Sequence, residues 1–175
     1  PARVTLFQGL PKGDKMELIV QKTVELGIAR IVPVTTKRAV VKLDEKKALA
    51  RTARWQSIAE AAAKQSRRGI VPAVEKACSL KEALEQAADM DVKLMPYELS
   101  AGMARTRQLI ESVRPGQKIA VFIGPEGGFE EEEVKLAQAA GFVPITLGKR
   151  ILRTETAGLT VMSWLMYRLE EESIS

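Results

Sequence analysis

The stretch Lys118-Ile-Ala-Val-Phe-Ile-Gly124 decides the fold, because it is an almost uninterrupted apolar run that ends at a glycine. A strand that is apolar at both odd and even positions is typical of a parallel sheet whose two faces are covered by helices. Similar short runs alternate with segments of helical periodicity, which predicts one α/β domain built from βαβ units. The predicted strands are Val4–Leu10, Arg30–Thr36, Val71–Glu75, Asp91–Tyr97, Lys118–Gly124 and Val143–Gly148.

The segments between these strands carry helix signals. Asp14 is predicted to cap a helix that ends near Leu26, and Ser79 with Glu82 has the spacing of a capping box. The longest helix is expected over residues 44–66. A final helix, over residues 157–170, is apolar around most of its circumference. Such a helix is either buried or in contact with another subunit.

The composition excludes several classes of chemistry. The 175 residues include no histidine and one cysteine, so the chain lacks the ordinary ligands of a zinc site and the histidine of Ser-His and Cys-His nucleophile pairs. No apolar run approaches the length of about 18 residues that a membrane span needs, and the N-terminal residues lack the order of a secretory signal. We therefore expect a cytoplasmic protein that spans no membrane and needs no metal.

The charge is distributed unevenly along the chain. Residues 1–70 contain 15 Lys and Arg against 6 Asp and Glu, a net charge of +9, whereas residues 71–175 contain 12 against 16, a net charge of −4. A basic half is consistent with a polyanionic partner such as nucleic acid. A lysine-rich surface exposed to solvent explains the same charge equally well, so both interpretations stay open.

Open α/β sheets bind ligands beyond the carboxyl ends of their strands, and the first such candidate here is the loop Gly124-Pro-Glu-Gly-Gly128. Its glycines let a ligand approach the backbone closely. A phosphate is disfavoured, because the acidic run Glu130–Glu133 occupies the first turn of the next helix and already complements its dipole. A neutral or cationic small molecule fits better. The alternative is a tight strand-to-helix turn without a ligand.

A second candidate is the segment Thr146–Ala157, in which a strand end, a loop and a helix start follow one another. Thr154 or Thr156 is expected to cap the last helix. The apolar pair Ile151–Leu152 in an otherwise polar connection predicts a loop that is tucked inward. Three cations lie in the same segment: Lys149, Arg150 and Arg153. The third candidate is the strand end Leu94-Met-Pro-Tyr-Glu98, where a proline frees a short apolar wall.

Two motifs carry a family resemblance, namely IGPEGG at residues 123–128 and LGKRILRTETA at residues 147–157. With further segments in the same order, they make the chain similar to the 16S ribosomal RNA (uracil-N3)-methyltransferases of the SPOUT superfamily. Each short motif is unspecific alone, but their order and spacing cover nearly the whole chain. The further segments are Leu6–Lys15, Glu25–Gly27, Arg38–Lys42, Trp55 and Glu60–Arg67.

The resemblance implies a parallel sheet flanked by helices, with a C-terminal trefoil knot that general topology rules would not predict. It implies that residues 1–175 are the catalytic domain, that the family's N-terminal β-barrel RNA-binding domain is absent from this chain, and that two copies form a homodimer through their knot helices. It also implies that S-adenosylmethionine binds in the knot, with Ile151 and Leu152 against its adenine. The implied cofactor contacts are Leu94, Met95, Pro96, Gly124, Glu126, Gly127, Gly128, Leu147, Gly148, Ile151 and Leu152.

The implied substrate is 16S ribosomal RNA or the small ribosomal subunit. Removing the proton from ring nitrogen 3 of a uridine places charge on two carbonyl oxygens. We expect Arg153 to stabilise that anion, the alternative being an ion pair of Arg153 with Glu126 or Glu155. Glu155 or Glu126 would accept the proton if burial raises its pKa, and bulk hydroxide is the alternative acceptor. The cations expected to contact the RNA backbone are Arg38, Lys42, Arg67 and Arg68.

Two other functions compete with this one. A different SPOUT methyltransferase would act on transfer RNA, for example on a ribose hydroxyl, but the motifs around Glu60 and Arg153 weigh against that function. A ribosome-assembly factor would bind RNA without catalysis and keep only a vestigial pocket. The intact glycines and Arg153 disfavour it.

Overall fold

The computed structural model describes residues 3–38, 44–98 and 102–170. Over these residues the chain forms one parallel sheet with helices on both faces. The strands are β1 (Arg3–Gly9), β2 (Arg30–Thr35), β3 (Ala73–Val74), β4 (Cys78–Ser79), β5 (Val92–Pro96), β6 (Lys118–Ile123) and β7 (Val143–Ile145). The helices are α1 (Lys15–Glu25), α2 (Glu45–Gln65), α3 (Leu80–Gln86), α4 (Met103–Ser112), α5 (Glu131–Ala139) and α6 (Thr154–Glu170).

The strand order places a topological switch in the middle of the sheet. The order is β3-β2-β1-β6-β5-β7, β4 also pairs with β2, and every pair is parallel. In the central strand β1, Phe7 lies opposite Val32 of β2 and Phe122 of β6. The chain winds away from β1 in two directions, and open α/β sheets bind ligands beyond the carboxyl ends of the strands at such a point.

Successive residues of the central strands enter two different apolar layers. Leu6 and Val121 pack in the layer that contains α1, α2 and α6, whereas Phe7 and Phe122 pack in the layer that contains α3 and α5. The ring of Phe122 meets the edge of Phe129 at a centroid distance of 4.9 Å. Both faces are therefore buried, which confirms the parallel sheet predicted from the apolar run.

All six predicted strands are present, but two are much shorter than predicted because side chains take over their backbone hydrogen bonds. The Val74 N–H donates to Oε1 of Gln56 at 2.8 Å, and Nε2 of Gln56 donates to the Pro72 carbonyl at 3.1 Å, so β3 pairs over only two residues. At the end of β7, Oγ1 of Thr106 donates to the Thr146 carbonyl and accepts from its N–H.

Two elements were not predicted. Strand β4 has two residues, too few for a periodic signal, and it carries the buried thiol of Cys78. Helix α4 buries only Thr106 and Ile110 among its ten residues, so its apolar pattern is weak.

The helix starts differ in part from the predictions. Ser79 caps α3 as predicted, because its hydroxyl accepts the Glu82 N–H at 3.1 Å. The predicted side-chain cap by Asp14 is wrong: Asp14 stands at the start of α1, but only its backbone carbonyl accepts a hydrogen bond, from Glu17. Helix α6 begins at Thr154, three residues before the predicted start.

Among the helices of residues 3–38, 44–98 and 102–170, none combines the length and apolarity that crossing a membrane requires.

Candidate functional site

A cavity of about 670 Å³ lies beyond the carboxyl ends of three adjacent strands, β6, β5 and β7. The loops that follow these strands form its walls, and the start of α6 closes one side. The structure therefore brings together the three loops that the sequence singled out. The lining residues are Arg38, Pro96, Tyr97, Glu98, Ile123, Gly124, Glu126, Gly127, Gly128, Phe129, Glu131, Thr146, Leu147, Gly148, Lys149, Arg150, Ile151, Leu152, Thr154 and Ala157.

Close packing explains the glycines in the loop after β6. A Cβ added to Gly124 would lie 3.2 Å from the carbonyl carbon of Gly128, which is tighter than ordinary side-chain contacts. The Gly128 N–H donates to the Pro125 carbonyl at 2.8 Å, and Gly128 has a φ of 73°, which glycine adopts without strain. The loop therefore offers bare backbone to the cavity.

Glu126 joins this loop to the loop between β1 and α1. Its Oε1 accepts the Lys12 N–H at 2.7 Å and the Lys15 Nζ–H at 2.9 Å. Burial raises the pKa of Glu126, but these hydrogen bonds together outweigh burial, and the net pKa lies below the ordinary value. Glu126 is therefore a weaker base than a free glutamate. The suggestion that burial makes it a proton acceptor is wrong.

We expect the contribution of Glu126 to stability to depend on pH. Because its pKa is lower in the folded chain, this contribution is fully present above the ordinary value of 4.5 and is lost as the pH falls through the lowered pKa. Glu126→Gln should cost about 1 kcal/mol of unfolding free energy at pH 7 and progressively less below pH 4.5. Urea unfolding of both proteins from pH 7 to 3 measures the difference. A difference that does not change with pH would contradict the assignment.

The acidic run at the start of α5 forms its own cap. Glu133 is only 2% exposed, and its carboxylate accepts the Glu130 N–H at 2.9 Å and the Lys37 N–H at 3.2 Å. Lys37 Nζ also lies 2.9 Å from Glu132. These contacts fix the segment after β2 against the start of α5. The carboxylates of the acidic run already occupy the N-terminus of this helix.

Arg38 lies at the cavity rather than on a separate basic surface. Its Nη1 donates to the Gly127 carbonyl at 2.7 Å, and a Cβ on Gly127 would lie 3.2 Å from the Cβ of Arg38. Lys42, the second predicted RNA contact, lies outside the described residues.

The other two predicted RNA contacts lie at the opposite edge of the sheet. Nη1 of Arg68 donates to the carbonyls of Val24 at 3.1 Å and Ile28 at 2.7 Å, just before β2 begins. Burial lowers the pKa of the Arg68 guanidinium. Arg67 is exposed beside it, after the end of α2. Arg68 therefore holds the end of α1 in place. Neither Arg67 nor Arg68 faces the cavity of its own chain.

Most of the implied cofactor contacts line the cavity, but Leu94 and Met95 do not. Both are fully buried within β5, and they belong to the two opposite apolar layers of the sheet. The cavity wall begins one residue later, at Pro96, and continues through Tyr97 and Glu98. The side chains of Leu94 and Met95 therefore pack in the core, so in β5 a contact with the cofactor through the cavity wall is proposed for Pro96.

The loop after β7 departs from the inward conformation predicted for it. Ile151 is 81% exposed at the edge of the cavity, and Leu152 is half-buried. The prediction that this pair is tucked inward is therefore wrong for Ile151. Gly148 in the same loop has a φ of 115°, a conformation that requires glycine.

The two residues expected to be catalytic, Arg153 and Glu155, flank Thr154. The Arg153 carbonyl accepts the N–H groups of Thr156 and Ala157, so its backbone caps α6, while its side chain is exposed and is not part of the cavity wall. Among the described residues no carboxylate lies within 4.0 Å of this guanidinium, so the alternative ion pair with Glu126 or Glu155 is not formed. Glu155 is half-buried, and its Oε2 is buried without a hydrogen-bond partner.

Sequence reasoning missed several lining residues. Tyr97 and Thr146 directly follow the observed ends of β5 and β7, and Thr154 begins α6, so strand ends placed one to three residues earlier would have found the first two by the rule that sites lie at strand ends. Thr154 was interpreted as a helix cap, but its hydroxyl donates to the Gly124 carbonyl at 2.6 Å. Within residues 3–38, 44–98 and 102–170, no group of three or more acidic or cysteine side chains is arranged to hold a metal ion.

Comparisons with known proteins agree with this architecture. Residues 1–166 match the model of the RNA methyltransferase domain family. The chain is 40% identical over 173 residues to ribosomal RNA small subunit methyltransferase E of Bacillus subtilis, covering 97% of this chain and 68% of that protein. The crystal structure of a ribosomal RNA small subunit methyltransferase E from Neisseria gonorrhoeae bound to S-adenosyl methionine is 38% identical, with a TM-score of 0.84 over 97% of this chain and 67% of that one.

A more distant structure shows the fold alone. The A. aeolicus TrmH/SpoU tRNA modifying enzyme is 14% identical, with a TM-score of 0.60 over 99% of this chain and 78% of that one. The fold is therefore that of the SPOUT methyltransferases, and this chain spans about two thirds of the length of the ribosomal RNA methyltransferases that it matches. By both its sequence and its structure, the chain belongs to the RNA methyltransferase domain family, among relatives of the ribosomal RNA small subunit methyltransferase E type.

Proposed function

We propose that this domain transfers a methyl group from S-adenosylmethionine to ring nitrogen 3 of a uridine in 16S ribosomal RNA. The observation that carries the proposal is the cavity with bare glycine backbone beyond the carboxyl ends of β6, β5 and β7. Its volume lies within the range of about 300–1,000 Å³ that small-molecule sites have. The related N. gonorrhoeae structure, 38% identical, is bound to S-adenosyl methionine.

The residues of the cavity suit such a cofactor. A Cβ at Gly124 or Gly127 would crowd its neighbours, so both positions keep bare backbone beside the ligand. Apolar side chains on the opposite loop suit an adenine ring. The residues that we propose hold the cofactor are Pro96, Gly124, Glu126, Gly127, Gly128, Leu147, Gly148, Ile151 and Leu152. When bound, the cofactor supplies an electrophilic methyl group.

The chain's own residues would prepare the uracil as the nucleophile. The Arg153 guanidinium, which forms no ion pair with the described carboxylates, would stabilise the negative charge that develops on the uracil carbonyl oxygens. Glu155 would hold the proton released from nitrogen 3, since its Oε2 is buried without a donor and needs one. The base would leave any RNA stack to reach these groups.

Cations around the cavity would contact the RNA backbone. Arg38, Lys149 and Arg150 line the cavity, so phosphates on either side of an inserted uridine would lie within their reach. We do not extend this role to Arg68, because its guanidinium is engaged by two backbone carbonyls at the far edge of the sheet.

The longer protein would contain more than this domain. We propose that residues 1–175 are its catalytic part and that an N-terminal β-barrel domain adds RNA affinity, since the chain spans about two thirds of its relatives. A C-terminal trefoil knot is supported by the return of the chain from the edge strand β7 to the sheet centre, where Thr154 contacts Gln8 and Gly124.

A homodimer is supported by the surface of α6. A groove of about 620 Å³ between α4 and α6 has four apolar or aromatic side chains in its wall, and one of them, Tyr167, is 82% exposed. The apolar members are Met103, Ile110, Trp164 and Tyr167, and the polar members are Thr106, Arg107, Glu111 and Arg168. Exposed apolar patches of this kind mark interaction sites. A second copy of the chain is the occupant that the resemblance implies.

The decisive experiment identifies the methylated atom. The protein is incubated with small ribosomal subunits or 16S ribosomal RNA and methyl-labelled S-adenosylmethionine, and the RNA is then digested to nucleosides for mass spectrometry. We expect one methyl group per RNA, as 3-methyluridine, and saturable cofactor binding at one site per chain by calorimetry. Label in a ribose methyl group would instead indicate a different reaction. Cofactor binding without any label would indicate an RNA-binding factor, and absence of both would reject the proposal for this domain alone.

A further inference from the structure

A buried hydrogen-bond chain connects the centre of the sheet to the glycine loop of the cavity. Gln8, near the end of β1, is fully buried. Its Nε2 donates to the Gly9 carbonyl at 3.0 Å and to Oγ1 of Thr154 at 2.8 Å. Oγ1 of Thr154 in turn donates to the Gly124 carbonyl at 2.6 Å. The chain therefore links β1, the start of α6 and the residue after β6.

The direction of every proton in this chain is fixed. Backbone carbonyls accept hydrogen bonds and never donate them, so the two ends, at Gly9 and Gly124, are both acceptors. The Gln8 amide must therefore turn its NH₂ group toward Gly9 and Thr154. The Thr154 hydroxyl then accepts from Gln8 and has one proton, which it donates to Gly124. No other arrangement satisfies both ends.

Gly124 needs such a restraint. A glycine has no side chain to pack, and its backbone has more accessible conformations than that of any other residue. Gly124 nevertheless lies where the rigid strand β6 passes into the cavity wall, and its carbonyl direction sets the path of the next residues, from Pro125 to Gly128. The Thr154 hydroxyl supplies the fixed contact that the missing side chain cannot.

The arrangement also carries a cost in stability. Oε1 of Gln8 is buried and has no hydrogen-bond partner, and burying an unpaired polar atom costs free energy. An aliphatic side chain at the same place would avoid that cost. A polar group kept in a core against its own stability is expected where function requires it.

We propose that Gln8 and Thr154 are positioning residues, which hold the Gly124 carbonyl and so keep the glycine loop in the shape that binds S-adenosylmethionine. The inference rests on the proposed function for the identity of the ligand. Neither residue takes part in the chemistry of methyl transfer. Their effect passes through the backbone of residues 124–128.

The test compares substitutions that keep or remove the hydroxyl. Thr154→Ser keeps it, whereas Thr154→Val has nearly the same shape and removes it. Thr52→Val is the matched control, because Oγ1 of Thr52 donates to the Ala48 carbonyl at 2.9 Å within α2, away from the cavity. We expect Thr154→Val to raise the calorimetric Kd for S-adenosylmethionine about tenfold, and Thr154→Ser and Thr52→Val to change it less than about threefold.

Gln8→Leu separates positioning from ordinary packing. We expect this variant to weaken cofactor binding about tenfold while its urea unfolding midpoint changes little, because removal of the unpaired Oε1 offsets the loss of the two hydrogen bonds that Nε2 donates. A residue with a purely structural role would show the opposite result, with lower stability and unchanged affinity. The double variant Gln8→Leu/Thr154→Val should bind no worse than Thr154→Val alone, since both break the same chain.

A measurement without ligand keeps this inference separate from the proposed function. The Gly128 N–H, which donates to the Pro125 carbonyl, should exchange its hydrogen faster in Thr154→Val than in the wild type or Thr154→Ser, as followed by NMR. If the wild type fails to bind S-adenosylmethionine, the proposed function is lost. The exchange rates still test whether the hydrogen bonds of Gln8 and Thr154 hold the glycine loop. Unchanged exchange in Thr154→Val, or a Kd equal to that of the wild type, would overturn the inference.

Discussion

Replacing Gly9 with alanine is expected to weaken S-adenosylmethionine binding at least about a hundredfold, although Gly9 does not line the cavity. An added Cβ would lie 2.6 Å from Cδ and 2.8 Å from N of Pro125, distances that real Cβ atoms essentially never show. Strand β1 cannot move away, because β2 and β6 pair with it on both sides, and the Leu10 N–H donates to the Val34 carbonyl at 2.9 Å. The glycine loop must shift instead.

The same clash should lower stability. Overpacking by one methyl group typically costs about 1–3 kcal/mol. Urea unfolding and cofactor calorimetry of Gly9→Ala measure the two effects separately. A variant that binds the cofactor as tightly as the wild type would show that the glycine loop can move without cost. It would refute the view that cofactor binding depends on the position of this loop.

A second glycine supplies the control. Gly158 lies inside α6, and a Cβ there would meet Leu6 and Ile123 at 3.8 Å, an ordinary contact distance. Alanine is favoured over glycine in a helix by about 0.8–1.0 kcal/mol. Gly158→Ala should therefore stabilise the protein and leave binding unchanged, which separates the effect of an added methyl group from the effect of its location.

Replacing Arg153 with alanine is expected to lower the rate of methyl transfer about 10²–10³-fold, the usual loss when one group that stabilises a developing anion is removed. The KM for S-adenosylmethionine should change little, because the side chain is not part of the cavity wall. Arg153→Lys should recover part of the rate, since it keeps the charge but not the planar group.

Steady-state assays with saturating RNA measure both constants. Arg51→Ala is the control for loss of a cation, because Arg51 lies on α2, away from the cavity. A normal rate in Arg153→Ala would remove this residue from the mechanism. A rise in KM with an unchanged kcat would assign it to binding instead.

The strands and the three loops could be predicted from sequence because both depend on local patterns. Runs such as residues 118–124 indicate buried parallel strands, and the carboxyl ends of parallel strands meet at one edge of the sheet. The predicted loops therefore had to converge. Which residues of a strand end line the cavity depends on where the strand stops: Leu94 and Met95 precede the end of β5, so their side chains lie in the core and the wall begins at Pro96.

Contacts between distant segments could not be predicted. The Gln8–Thr154 hydrogen bond joins residues 146 positions apart, and the two bonds of Arg68 to α1 and the following turn join residues 44 and 40 positions apart. No periodicity reports such a contact, so Thr154 was assigned as a cap and Arg68 as a phosphate ligand. The length of β3 was overestimated, because the side chain of Gln56 forms the backbone hydrogen bonds that a longer strand would form with its neighbour.

The buried cysteine on β4 has a practical consequence for studying this protein. Burial, with a smaller effect from Glu82, raises the pKa of the Cys78 thiol to about 11, so very little thiolate exists at neutral pH. Thiolate is the form that reacts with maleimides and iodoacetamides. Since Cys78 is the chain's single cysteine, the natural sequence already serves as an unreactive background for spectroscopic labelling. A cysteine placed at exposed Ile151 would carry a probe to the edge of the cavity without any other site competing for the label.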